Sequence, residues 1–230
     1  MAGPGGGLTV AADGSAPDPP TVVVPRPELD TIRKETAEHG QMEGETGGVL
    51  LGRRLSNDVV FCLSATRPGP NAEHHHAEFS PDVDYAQAIL DDYRREYDAV
   101  WIGTWHKHPG RMNRLSDGDI AQMREFVRDP ELIDEIVAVV TTYGDGTVKL
   151  NPFYMDDSLE WTRTDVEIVD DAEPYLEDLR HDDEASGDGG TPAGEVRSTN
   201  DPSANDRSRD RWPAPFAWVV RLFGGLFGRR

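Results

Sequence analysis

The sequence predicts an α/β fold: a mixed β-sheet of six or seven strands flanked by three helices, spanning residues 20–170. Three observations carry that expectation. Short apolar, β-branched runs such as TVVV (21–24), VVFCLSA (59–65) and EIVAVVTTY (135–143) read as buried strands. Between them lie stretches whose apolar residues recur at helical spacing. Finally, the composition changes abruptly at Asp170, where large apolar residues become scarce and the globular unit ends.

Along the chain, residues 1–19 are rich in Gly, Ala, Pro and Asp and read as a disordered lead-in, without the basic start and apolar stretch of a signal peptide. TVVV is the first strand. Pro25 and Pro27 open a helix with Leu29 and Ile32 on one face, fading near His39-Gly40. VLL (49–51) centres a buried strand, and NDVVFCLSA (57–65) returns as its antiparallel partner after the turn RRLSND. The Pro and Gly of TRPGPNAEHHHAEFSPD (66–82) exclude regular structure. Asp82–Tyr97 forms an amphipathic helix through Val83, Ala86, Ile89, Leu90 and Tyr93. AVWIGTWH (99–106) is a buried-type strand. Ser116–Val127 is a helix with Ile120, Met123, Phe126 and Val127 on one face. EIVAVVTTY and GTVKLNPFYM (146–155) form a hairpin across Gly144-Asp145-Gly146, and SLEWTRTDVEIV (158–169) adds one more strand. Residues 171–210 read as an acidic disordered linker, and 211–230 as an apolar, basic tail.

The chain has 230 residues and a net charge of −20, with 43 acidic residues against 23 basic ones, only three of them lysine. That balance excludes nucleic acid as the main partner, since phosphate binding needs clustered positive charge. Repulsion among so many acidic groups is relieved by salt, so the composition points to a molar-salt cytoplasm, as in a halophilic archaeon. The single cysteine, Cys62, precludes an intrachain disulfide and reads as a small core residue. No run of 18 or more apolar residues occurs, so no conventional membrane span is expected and the location is read as cytoplasmic.

Chemistry concentrates in WIGTWHKHPGRMNRLSDGDI (101–120). Residues i and i+2 of a strand share a side, so His106 and His108 can present two imidazoles to one ion. Pro109-Gly110 ends the strand there, and Asp119 opens the next helix. Two histidines and a carboxylate supply three ligands, which leaves zinc a fourth position for water. A general base must then accept the water proton. Glu45, beside glycines at a strand end, is the first candidate, and Glu43, one strand period earlier, is its rival. The same residues admit a plainer reading: Ser116-x-x-Asp119 before an apolar helical run is close to a capping box, and spacing alone leaves both open.

Glu45, then His106-Lys107-His108, seven residues, and Ser116-Asp117-Gly118-Asp119 resemble the signature of the JAMM metalloproteases, the MPN/JAB domain. The likeness extends to ETGGVLLGRR, IGTWHKHP and PGPNAEHHHAEFSPD and covers about residues 20–165. The resemblance implies a cytidine-deaminase-like fold and hydrolysis of peptide or isopeptide bonds by one zinc ion, often after the diglycine end of a ubiquitin-like modifier. It implies His106, His108 and Asp119 as metal ligands, Glu45 as the base that activates water, and Ser116 as a hydrogen-bond donor to the oxyanion. The compact spacing between motifs resembles prokaryotic members, and the expected partners are conjugates of ubiquitin-like proteins. Two alternatives stand beside this: a zinc peptidase acting on a sulfur-carrier or short-peptide adduct, and a non-catalytic MPN scaffold anchored through its tail.

Outside this pattern, His74-His75-His76 diverge too much for one compact metal site and read as a solvated loop near the substrate cleft. FAWVVRLFGGLFG (216–228), flanked by arginines, is too short to span a bilayer. Residues 212–230 suit docking to a protein partner or peripheral attachment to a membrane.

Overall fold

The computed structural model describes residues 18–40, 44–74, 79–129 and 132–185. Ten strands and four helices follow in chain order: β1 (Thr21–Pro25), α1 (Arg26–Glu38), β2 (Thr46–Ser56), β3 (Val59–Ala65), β4 (Glu73–His74), β5 (Phe79–Ser80), α2 (Val83–Tyr97), β6 (Val100–Lys107), α3 (Asp117–Arg128), β7 (Ile136–Gly144), β8 (Thr147–Met155), β9 (Trp161–Arg163), β10 (Val166–Val169) and α4 (Glu173–Ala185). Among the described residues, eight strands form one mixed sheet in the order β10-β1-β3-β2-β6-β7-β8-β9, and β4 pairs with β5.

Helix α1 starts where Pro25 and Pro27 pre-set the backbone, and it buries Leu29, Ile32, Glu35 and Thr36. It packs against β1, β2, β3, β6, β7, β8 and β10, so the sheet curls around it. One core lies in that hollow and joins Leu29 and Ile32 to Val22, Leu50, Cys62, Trp105 and Val139. Helices α2 and α3 cover the other face, where Leu90, Met123 and Phe126 meet Leu51, Trp101 and Ala138.

The curl carries the two ends of the sheet to each other. Strand β9 pairs with β8, and β10, which begins only two residues later, pairs in parallel with β1 at the opposite end. The intervening Thr164 donates from its amide to Pro152 O and from its hydroxyl to Pro20 O, while Asp165 O accepts from Val22 N.

Four expectations need correction. SLEWTRTDVEIV is two strands at opposite ends of the sheet, because Thr164 and Asp165 turn the chain from β8 to β1. RRLS belongs to β2 rather than to a turn; the reversal occupies only Asn57-Asp58, and bulges at Leu51/Gly52 and Arg54/Ser56 absorb the register change. The 66–82 segment contains the short β4–β5 pair. The first part of the predicted acidic linker is α4, with Leu179 fully buried beside Phe61 and Tyr97, and Tyr175 stacked on Phe61. The lead-in 1–17, the remainder of the linker and the tail 211–230 lie outside the described residues.

Candidate metal centre

The site is assembled where β6 ends. Strand β6 is central, antiparallel to β2 and parallel to β7. Strand alternation turns Trp105 and Lys107 towards the α1 side and His106 towards α3. His108 continues past the strand end, held by its amide to Thr141 O at 3.3 Å. Gly110, with φ +64°, then turns the chain away.

Asp119 reaches the histidines through helix α3. Ser116 is the N-cap: its Oγ accepts from Asp119 N at 3.1 Å, and Asp119 Oδ2 accepts from Ser116 N at 2.6 Å and Ser116 Oγ at 2.7 Å. The capping box is therefore real, and it is compatible with the ligand role, because it aims the Asp119 carboxylate at the end of β6. His106 Nε2 and His108 Nε2 lie 2.8 Å apart, His108 Nε2 is 3.1 Å from Asp119 Oδ2, and His106 Nε2 is 3.4 Å from Asp119 Oδ1.

The donor set fits a small divalent ion. The three ligand atoms lie within 4.8 Å of one another. Ligands about 2 Å from a tetrahedral metal stand roughly 3.3 Å apart, close to the separations found here. His108 is 1 % exposed, and its Nδ1 has no hydrogen-bond partner among the described residues. The second imidazole nitrogen thus lacks the orienting acceptor that metal-bound histidines usually have.

Glu45 stands immediately before β2. Gly47 lies opposite His106 in the ladder, and a Cβ there would meet Trp105 O at 2.4 Å. At Gly48 a Cβ would meet Thr66 O at 2.1 Å and Trp105 Nε1 at 2.7 Å. These two glycines let β2 lie close enough to β6 for Glu45 to share a cavity of about 30 Å³ with His106, Asp119, Gln122, Phe79 and Trp105. That space admits a water molecule.

Charge is balanced across the cluster. Burial raises the Glu45 carboxyl above its usual range, and the neighbouring His106 and His108 only partly offset this. Burial also works against ionised Asp119, yet His106 together with bonds from His108 and Ser116 holds its pKa well below the usual carboxylate value. At His106 burial disfavours the imidazolium, but the Asp119 carboxylate outweighs burial and the pKa is raised. A divalent cation at such a donor set competes with protons for the same ligand atoms.

Of the residues expected from the sequence, the structure brings His106, His108, Asp119, Ser116 and Glu45 together. Glu43, His75 and His76 lie outside the described residues. Cys62 is fully buried, and burial raises its thiol pKa strongly, which suits a core residue. Two neighbours take part in ways the sequence reading did not give, although it set His74 in a loop near the cleft. Lys107 is 1 % exposed, and burial lowers its ammonium pKa against the opposing charge of Glu45. His74 Nδ1 lies 3.0 Å from Glu45 O. The i, i+2 rule that aligns the histidines could have placed Lys107 on the opposite face, but no spacing signal links His74 to Glu45.

Among the described residues, no helix is long and apolar enough to cross a membrane. No protein-family profile matches the chain. A curated protein of Sinorhizobium fredii, named a probable metalloprotease, is 27% identical over 116 residues, covering 49% of this chain and 70% of that protein. A solution structure of a Desulfitobacterium hafniense protein aligns over 68% of this chain and 98% of its own, with 16% identity and a TM-score of 0.49, and adds nothing to the description above.

Proposed function

We propose that the chain is a zinc-dependent peptidase of the JAMM type that cleaves peptide or isopeptide bonds next to ubiquitin-like modifiers. The observation that carries this reading is the convergence of His106, His108 and Asp119 beside a water-sized cavity that also receives Glu45. The Sinorhizobium relative, named a probable metalloprotease, supports the coarser part, a metal-dependent peptidase. The specificity for modifiers rests on the motif resemblance alone.

His106, His108 and Asp119 would hold the ion. Zinc bound there would supply Lewis acidity, which lowers the pKa of water and polarises a carbonyl. Glu45, partly desolvated and with a raised pKa, is suited to accept a proton from water and return it to a departing amine. Ser116 Oγ lies at the helix N-terminus beside Asp119; its hydroxyl donates to an oxyanion once it turns from the carboxylate it now caps. Trp105, fully buried with Nε1 on Thr66 O at 2.9 Å, fixes the wall behind the histidines.

The test is incubation of the purified, zinc-loaded protein in high salt with conjugates of ubiquitin-like proteins, with and without a chelator. Release of the modifier that stops on chelation and resumes with zinc is the expected result. Intact conjugates in the presence of stoichiometric bound zinc would remove the isopeptidase reading.

A further inference from the structure

We propose that Lys107 and His74 together form a clamp that sets the orientation of the Glu45 carboxylate. The inference rests on reading Glu45 as the proton acceptor at this site. The two peptide groups that flank an α-carbon fix the direction of its Cα–Cβ bond, from which the carboxylate is carried, and at Glu45 both are held. Lys107 Nζ donates to Gly44 O at 3.0 Å, and His74 Nδ1 donates to Glu45 O at 3.0 Å. Thr46, the next residue, is already paired with Lys107 in the β2–β6 ladder. A large change in φ or ψ of Glu45 would stretch or break one of these bonds.

Each anchor is fixed in turn. Lys107 is 1 % exposed, and a buried ammonium is tolerated only with polar partners. An ammonium is a donor only, so its burial calls for acceptors, and Gly44 O is one of them. The His74 ring stacks on His39 with centroids 4.9 Å apart and planes 13° from parallel, and it tilts against Phe79 at 5.4 Å. His39 Nδ1 in turn lies 3.0 Å from Glu35 O on α1. His74, backed by His39 just beyond α1, thus bears on Glu45, although neither histidine is a metal ligand. A general base must lie within hydrogen-bond reach of its proton, and a misplacement of about 1 Å costs roughly a hundredfold in rate.

The experiment uses the full chain loaded with zinc, a fluorogenic peptide ending in Gly-Gly-aminomethylcoumarin, and amide hydrogen exchange of residues 44–46. His74→Phe keeps a ring in the stack and removes the donor, whereas His74→Asn restores an N–H near the place of Nδ1. Lys107→Met and Lys107→Arg make the matching pair. We expect His74→Phe and Lys107→Met to lower kcat about tenfold, leave KM and zinc stoichiometry unchanged, and speed exchange at Glu45 and Thr46 about tenfold. His74→Asn should return both readouts to within about threefold of wild type. Wild-type kcat and exchange in His74→Phe, a change in KM alone, or a His74→Asn protein as impaired as His74→Phe would overturn the clamp. His74 is exposed, so its variants decide the matter even if Lys107→Met does not fold. Glu45→Gln, measured in parallel, separates the premises: full turnover in that variant removes Glu45 as the base, and the exchange data still judge the clamp.

Discussion

Replacing Ser116 by alanine separates two roles that one hydroxyl can hold. Ser116 Oγ accepts from Asp119 N at 3.1 Å and donates to Asp119 Oδ2 at 2.7 Å. Truncation leaves the Asp119 amide, in the first turn of α3, without its side-chain acceptor, and loss of such a cap costs about 1 kcal/mol. In a domain of this size, about 1 kcal/mol lowers Tm by roughly 2–4 °C. The Asp119 carboxylate keeps its bond from Ser116 N at 2.6 Å and still faces the histidines, so metal content should not change. Losing an oxyanion donor is a much larger effect, about 10²–10³ in kcat or roughly 2.7–4 kcal/mol. The assay pairs thermal unfolding of metal-free protein with kcat of the zinc-loaded form. Ser116→Ala should lose both quantities, and Ser116→Thr, which keeps the hydroxyl, should recover most of each. A lowered Tm with kcat within about threefold of wild type would refute the oxyanion role and leave only the cap. An unchanged Tm would refute the cap.

Other expectations follow from the same cluster. His106→Ala and Asp119→Ala should lower bound zinc below one equivalent by elemental analysis, and full occupancy in either would break the ligand set. Glu45→Ala should keep its zinc and lose turnover. Burial raises the Glu45 carboxyl above its usual value of 4.5 in metal-free protein, so titration of that protein should show a carboxyl above 4.5 that is absent from Glu45→Gln, and its absence would contradict the assignment. The sign for stability is the reverse of the usual carboxylate case. With the folded pKa raised, the native state binds more protons between the two pKa values, so stability falls as pH rises through that window. Glu45→Gln should therefore unfold at a higher temperature than wild type at neutral pH in metal-free protein, and an equal or lower Tm would argue against desolvation there.

Much of the fold was legible because its strands announce themselves. VVFCLSA and IVAVVTT lack the apolar–polar alternation that a surface strand would show, and both are buried but for Val59 at the start of the first. The histidine pair was legible for the same reason, since alternation on β6 fixes which side chains share a face. The failures have a common physical origin in long-range geometry. WTRTDVEIV alternates in one unbroken pattern, and nothing local states that its halves join opposite ends of a sheet. Helix α4 was hidden by its acidic composition, although Tyr175, Leu176 and Leu179 lie at helical spacing and pack on the Phe61 cluster. The proximity of Glu45 to the histidines came from motif likeness; the physical cause, two glycines that allow β2 and β6 to touch, shows only once the ladder register is known. His74 was read as loop because its partner is a backbone carbonyl, which no residue pattern records.

Thr164-Asp165 ties the two edge strands of the sheet, β9 and β10, to each other through the chain alone. An ordinary edge nicked near its end frays by one strand, but a cut at this tie would free both edges. Cleavage between Thr164 and Asp165 would loosen β9 from β8 and β10 from β1 together, baring two rows of backbone donors and acceptors that can recruit other chains. Any shortened version of the molecule should therefore keep this link whole, and a protease that finds it would leave a seed for aggregation.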